Sequence, residues 1–189
     1  MKTLAIASVV GSAILFIYLA VAHVLLTFHY SDFKYTPDQD KLLQTLSEVN
    51  LEDGFYFLPY SPPEATMEER MYTMQKMMGK PMALINYHAR MEDSPMTLIM
   101  SFIYNLIAVL ILCIAMAAAN DKLNNFGQRL WFVMLFVFFV IFSNIMLSYN
   151  WNGFPMHFIS GQIIDIVVGY LLVGLWLAWY YGRLRVRKA

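Results

Sequence analysis

Residues 159–181 read ISGQIIDIVVGYLLVGLWLAWYY, a stretch that is long and apolar enough to cross a bilayer as a helix. It contains one acid, Asp165, about two turns after its start. A carboxylate at that depth in a membrane is costly unless it faces a partner or water. We therefore treat Asp165 as a candidate functional residue and interpret the other segments by what they place around it.

The composition is that of a membrane protein. Of the 189 residues, 59% are hydrophobic and only 14% are charged. The formal net charge is zero, which gives no electrostatic support for binding nucleic acid. The single cysteine, Cys113, lies in an apolar run, so the sequence offers neither an intrachain disulfide nor a metal site built on thiolates.

Three further apolar runs each predict a transmembrane helix. They are residues 4–28, 96–119 and 130–149. The first contains AVA at 20–22, which is similar to a signal-peptide cleavage site, but the apolar run continues beyond it, so we predict an uncleaved span. The predicted fold class is an all-α integral membrane protein with an antiparallel bundle of four transmembrane helices.

An insertion of mixed polarity, residues 31–95, separates the first two predicted spans. Its pattern indicates a helix, a strand, a second helix and a second strand. The second helix begins with a capping box formed by Thr66 and Glu69, and Gly79 marks its end. A helix between two strands favours a β-α-β unit with parallel strands, so we expect a small α/β domain outside the membrane.

The basic residues predict the orientation. Lys2, the connector with Lys122 and Arg129, and the basic tail at 183–188 all lie on one side of the four spans. The uncharged loop at 150–157 lies on the other side. By the positive-inside rule, both termini are cytoplasmic in a bacterial inner membrane, and the insertion faces the periplasm.

Each of the four predicted spans carries a polar residue in its periplasmic half: His23, Asn105, Asn144 and Asp165. In an antiparallel bundle these side chains meet in one layer. Such polar contacts usually fix the register of packed helices. An alternative is a proton or substrate relay built on Asp165 and His23.

Methionines form a stripe on the second helix of the insertion. Met71, Met74 and Met78 recur at helical spacing, and His88 follows nearby in the sequence. Thioether sulfur is a soft ligand that suits Cu(I), so these four residues are a candidate copper site. The alternative is that the stripe packs against an apolar surface, because methionine fills irregular gaps. No other cofactor is expected from the sequence.

Three short segments carry a resemblance. They are GFYFLP at 54–59, GKPMALI at 79–85, and WNGFP at 151–155 followed by Ile164-Asp165 and Gly169. Together they resemble a family of small, uncharacterised bacterial membrane proteins with four transmembrane helices. The resemblance implies a shared fold and no assigned reaction, so it supplies no catalytic residues.

The sequence contains no recognisable catalytic motif, phosphate-binding glycine loop or zinc-finger spacing. We therefore expect a non-catalytic accessory or scaffolding subunit of a larger inner-membrane complex, whose partners are lipid and other membrane subunits or further copies of itself. Two alternatives are a periplasm-facing copper-handling protein and a small oligomeric transporter or proton-coupled protein that uses Asp165.

Overall fold

A computed structural model of the chain describes residues 2–91 and 95–186. The elements follow one another in this order: α1 (Lys2–Leu25), a 3₁₀ turn (Thr27–Ser31), α2 (Gln39–Glu48), β1 (Gly54–Leu58), α3 (Met67–Met77), β2 (Ala83–Tyr87), α4 (Met96–Ala119), α5 (Phe126–Val140), a π-helical turn (Ile141–Ile145), α6 (Met146–Asn152) and α7 (Met156–Val186).

Four helices are long and apolar enough to cross a membrane, as the sequence predicts. They are Lys2–Leu25, Met96–Ala119, Phe126–Asn152 and Met156–Leu184. The chain divides into two compact units. The helical unit comprises Met1–Lys34 and Ser94–Ala189, and the insert unit comprises Tyr35–Asp93.

Small residues bring α1 close to α4. Ser8, Gly11 and Ser12 form part of one face of α1, and a Cβ on Gly11 would lie only 2.8 Å from a methyl group of Val109 on α4. The Ser12 hydroxyl lies 3.5 Å from the backbone carbonyl of Asn105. Close approach through small residues is the usual way in which apolar helices pack when no polar surface drives them together.

The two ends of the chain pack against each other as antiparallel helices. A Cβ on Gly169 of α7 would lie 2.7 Å from Leu15 of α1, and further along, Trp176 Nε1 donates a hydrogen bond to the carbonyl of Ala7 at 3.1 Å. From the first contact to the second, the residue number falls along α1 and rises along α7, so the two helices are antiparallel. The start of α7 therefore lies beside the end of α1, which brings Asp165 next to the residues that follow α1.

A buried arginine joins α5 to α7. The sequence places Arg129 in a polar connector, but the Asn125 capping box starts α5 at Phe126, so Arg129 lies within the helix and is 6% exposed. Its Nε donates to the carbonyl of Ala178 at 3.0 Å, and its Nη1 donates to the carbonyl of Leu123 at 2.8 Å. The bond to Ala178 ties the beginning of α5 to the second half of α7, and the bond to Leu123 holds the connector that precedes α5.

Close packing continues along the same pair of helices. A Cβ on Gly174 would lie 2.9 Å from Leu130 and 3.3 Å from Val133. Beyond this contact the helix changes its winding in the π-helical turn, where Ile141 and Ile145 are buried. One wider turn of this kind shifts which residues face the neighbouring helices.

The prediction of parallel strands in the insertion is wrong. β1 and β2 pair antiparallel, with Gly54 opposite Tyr87 and Leu58 opposite Ala83. The segment between the strands, including α3, returns the chain to the end of β1 where it left, instead of carrying it back across the sheet as a β-α-β crossover does. The predicted order of helix, strand, helix and strand is confirmed, as is the Thr66–Glu69 capping box.

Candidate functional site

Two histidines meet Asp165 where α1 ends and α7 begins. His29 Nε2 lies 3.2 Å from Asp165 Oδ1, and His23 Nδ1 lies 3.7 Å from Asp165 Oδ2. One ligand atom from each of the three side chains lies within 4.8 Å of the other two. The Asp165 side chain is only 15% exposed, so its carboxylate is stabilised by contacts with these partners more than by water.

The local backbone explains why His29 reaches this place. Leu26 is extended, which ends α1, and the 3₁₀ turn Thr27–Ser31 follows at once. This turn folds the chain back, so that the ring of His29 lies over the ring of His23 with 4.1 Å between their centroids. Two histidines six positions apart therefore share one site, although a continuous helix would not place them on one face.

Asp32 completes the arrangement from the other side of His29. Its Oδ2 lies 2.6 Å from His29 Nδ1, and because an ionised carboxylate only accepts, this ring nitrogen is the donor. Asp32 packs close to α7 at Gly161, where a Cβ would lie 3.0 Å from Asp32 Oδ1. We call His23, His29, Asp32 and Asp165 the His–Asp cluster.

The carboxylates change the protonation of His29. Burial by itself lowers the pKa of His29, but the hydrogen bonds to Asp32 and to Asp165, together with the charges of both carboxylates, outweigh burial and raise the pKa above its ordinary value of 6.5. A second proton on His29 can bridge the two acids. Any cation that binds Nε2 must displace that proton, so binding there depends on pH.

The structure brings three of the four predicted polar residues to one region. Asn105 lines the same cavity, of about 250 Å³, as Asp165 and Gln162. Its carboxamide nitrogen is buried and makes no hydrogen bond to any described residue. Asn144 is not brought to this group: it lies in the π-helical turn and is exposed, because the wider turn keeps Ile141 and Ile145 on the buried side.

The candidate copper residues lie in the insert unit. Met71 and Met74 are exposed on α3, and α3 ends one residue before Met78, which is also exposed. The His88 ring is 3.5 Å from Asp53. The methionine stripe is therefore not buried against an apolar surface among the described residues, and copper binding stays a prediction.

Sequence reasoning missed two members of the His–Asp cluster. The sequence pattern does not include His29 or Asp32 in the predicted polar layer, because His29 follows the first predicted span and Asp32 falls within the polar insertion. The signal was present as His-x-x-Asp directly after the first span. Its meaning depends on the 3₁₀ turn, which helical counting from the span does not anticipate.

No protein-family model, no curated protein and no solved structure matches this chain. The resemblance to a bacterial four-span family stays a prediction.

Proposed function

We propose that this chain binds one divalent transition-metal ion, with zinc as the best fit, through His23, His29 and Asp165. The observation that carries the proposal is the convergence of two imidazole nitrogens and one carboxylate within 4.8 Å. Ligand atoms at about 2.0–2.2 Å from a tetrahedral zinc ion lie roughly 3.3 Å from one another. His29 Nε2 lies 3.2 Å from Asp165 Oδ1 and His23 Nδ1 lies 3.7 Å from Asp165 Oδ2, so each histidine nitrogen is close to that spacing from one oxygen of the carboxylate.

Asp32 supports the proposal as an outer partner of a metal ligand. A histidine that binds metal through one nitrogen usually donates the other N–H to a carboxylate, which fixes the ring and raises its basicity. His29 has this arrangement: Nδ1 donates to Asp32, and Nε2 points to Asp165. A carboxylate that holds a histidine in this way is typical of zinc sites, so the Asp32–His29 contact supports the proposal.

Charge and access also favour a dication. Asp32 and Asp165 are 10% and 15% exposed, and two carboxylates at this burial are costly without a positive charge, which protonated His29 supplies in the metal-free protein and a bound dication would supply in its place. The His23 side chain is 58% exposed, so the His–Asp cluster is accessible from the side on which His23 lies. Three protein ligands leave one tetrahedral position for water or another ligand, which is the arrangement of reactive rather than purely structural zinc sites.

In the proposed setting, the four apolar helices form an antiparallel bundle in a bacterial inner membrane. The antiparallel contacts of α1 with α4 and α7 support this, as does the one-sided distribution of basic residues in the sequence. Both termini are then cytoplasmic, and the insert unit is periplasmic. The His–Asp cluster lies in the periplasmic half of the bundle.

Metal analysis of the purified full-length protein tests the proposal. We expect about one equivalent of zinc after equilibrium dialysis, and His29→Ala and Asp165→Asn should each weaken zinc binding by at least tenfold, since each removes one of three protein ligands. His88→Ala is the matched control, because His88 is also paired with an aspartate but is exposed and lies in the insert unit. Its zinc affinity should equal that of the wild type.

Zinc well below one equivalent in well-folded protein, or equal binding by the wild type and His29→Ala, would refute the proposal. The same measurement with copper, repeated after replacing Met71, Met74 and Met78, tests the copper hypothesis. Proton-coupled transport through Asp165 is a separate prediction: it requires a pH-dependent flux that persists after zinc is removed.

An accessory role in a larger membrane complex is a second candidate function. One observation favours it: α2 of the insert unit has no buried residues, Leu42 and Leu43 are exposed on it, and Val49 is exposed directly after its end. An apolar surface of this kind on a polar unit commonly marks a protein contact. The partner would be another subunit of an inner-membrane complex.

Purification from native membranes followed by mass spectrometry tests this second candidate. We expect one or more stoichiometric partners to be retained with the wild type and lost with the double variant Leu42→Ser and Leu43→Ser. A Thr45→Ala variant on the same helix is the control, because it leaves the apolar residues in place. A monomer that carries no partner out of native membranes would exclude the accessory role.

A further inference from the structure

A tyrosine of α1 lies against the part of α7 that carries Asp165. A Cβ on Gly169 would lie 3.2 Å from Tyr18 Cδ1 and 3.4 Å from Tyr18 Cε1, so one edge of the ring lies on the backbone of α7. Asp165 and Gly169 are four positions apart, which places them on the same face of that helix. Because Gly169 has no side chain, the Tyr18 ring can lie close to Asp165.

The hydroxyl of Tyr18 is a hydrogen-bonding partner of the Asp165 carboxylate. An ionised carboxylate only accepts hydrogen bonds, so the hydroxyl is the donor. Asp165 therefore faces three groups from one short part of the chain: the Tyr18 hydroxyl, His23 Nδ1 at 3.7 Å and His29 Nε2 at 3.2 Å. The two nitrogens are ligand atoms of the proposed metal site, and the Tyr18 hydroxyl is not one of them.

Binding of a metal changes what the two histidines offer to Asp165. A ring nitrogen that binds a metal presents its lone pair and carries no proton, so His23 Nδ1 and His29 Nε2 can no longer donate to the carboxylate. The Tyr18 hydroxyl keeps its proton and remains a donor. Carboxylates that bind metal usually accept a hydrogen bond from an outer group of this kind, which fixes their orientation.

We infer that Tyr18 is a positioning residue of the proposed metal site and makes that site selective for zinc. This inference rests on the proposed function. The Tyr18 hydroxyl holds one oxygen of Asp165 in a hydrogen bond, so the metal receives the other oxygen and Asp165 binds through that oxygen alone. Two imidazole nitrogens, one carboxylate oxygen and one water then form the tetrahedral ligand set that zinc takes. Manganese prefers an octahedral set of oxygen ligands, so this arrangement disfavours it.

Replacing Tyr18 by phenylalanine tests the inference, because the ring and its contact with Gly169 are kept and only the hydroxyl is lost. Zinc and manganese affinities of the full-length protein are measured in one detergent by competition with a chelator. We expect Tyr18→Phe to weaken zinc binding by about tenfold or more, as loss of an outer partner of a metal ligand does. Manganese binding should weaken less, because the second oxygen of Asp165 becomes free to bind it.

Tyr104→Phe is the matched control. It removes the same hydroxyl from a tyrosine of α4 that is 61% exposed, and both metal affinities should equal those of the wild type.

Cobalt provides a readout that packing of the ring does not change. Co(II) absorbs visible light strongly in a tetrahedral site and more weakly when a fifth ligand binds. We expect strong absorption in the wild type and in Tyr104→Phe. In Tyr18→Phe the absorption per bound cobalt should be weaker, since Asp165 can then bind through both oxygens.

Equal zinc affinities of the wild type and Tyr18→Phe would overturn the inference. A cobalt spectrum that Tyr18→Phe leaves unchanged would also overturn it, because Asp165 would then bind in the same way without the hydroxyl. If the wild type holds one equivalent of zinc, either result removes the role of Tyr18 and leaves the metal site standing. If the wild type binds no zinc, the proposed function is refuted and this inference fails with it.

Discussion

Replacing Asp32 by asparagine should weaken zinc binding without removing a metal ligand. The substitution preserves the size of the side chain and still offers an acceptor to His29 Nδ1, which lies 2.6 Å from Asp32 Oδ2. It removes the negative charge, and a hydrogen bond to a charged group contributes about 1.5–3 kcal/mol. Loss of an outer carboxylate partner of this kind costs about 10–100-fold in metal affinity, which corresponds to about 1.4–2.7 kcal/mol.

The assay is a competition titration with a chromophoric zinc chelator, at one pH and with the protein in one detergent. Asp53→Asn is the matched control, because Asp53 also pairs with a histidine, His88, at 3.5 Å, but both side chains are more than 60% exposed. We expect Asp53→Asn to bind zinc like the wild type. A dissociation constant for Asp32→Asn within twofold of the wild-type value would refute the outer-partner role of Asp32.

Three further predictions concern stability in detergent, measured by thermal or chemical denaturation. Arg129→Met should lower the free energy of unfolding by about 2–3 kcal/mol, because two backbone carbonyls lose a charged donor, and an unchanged value would show that these bonds contribute nothing. Gly174→Ala should cost about 1–3 kcal/mol by overpacking, whereas Gly127→Ala, whose new Cβ meets only one oxygen at 3.5 Å, should be neutral or stabilising by less than about 1 kcal/mol. The folded-state pKa of His29 is raised, so protonated His29 stabilises the metal-free protein fully below about pH 6.5, and this stabilisation is lost as the pH rises through the raised pKa. His29→Gln should therefore flatten the dependence of the unfolding free energy on pH. An equal slope in the wild type and the variant would contradict this prediction.

The sequence is sufficient to predict the four apolar helices because hydropathy over about twenty residues is a strong signal. It is less reliable at their ends. The third helix was predicted over 130–149 but begins at Phe126, since the Asn125 capping box extends it through Arg129. From a single sequence, an arginine near the end of an apolar run is interpreted as part of a charged loop. Its long side chain can nevertheless donate hydrogen bonds to backbone carbonyls inside the packed protein.

The candidate site was predictable only where helical counting applies. Depth along the spans related Asp165 to His23 and to Asn105. It failed for Asn144, because the π-helical turn changes the number of residues per turn just where Asn144 lies. It also failed for His29, because a 3₁₀ turn brings that residue back over α1, and nothing in the apolar pattern indicates such a turn.

The strand pairing failed for a different reason. A helix between two strands favours parallel pairing only when the chain crosses the sheet before the second strand begins. Here the connection includes eight residues between Leu58 and Met67 besides α3, so the chain has enough length to return to the end it left. Sequence patterns predict where helices and strands lie. The path of a long connection between two strands depends on tertiary packing, which the local sequence does not determine.

The His–Asp cluster also sets an order of events during biogenesis. His29 and Asp165 are separated by 136 positions along the chain, so the ribosome must make every other helix before the second half of the site exists. The segment with His23, His29 and Asp32 is synthesised before the insert unit and α4 to α6, so the two histidines cannot contact Asp165 until α7 has been made. If the proposed metal binds, it can therefore be loaded only at the end of maturation. A chain truncated before α7 would lack Asp165, so under the proposal bound zinc would report that α7 has been made.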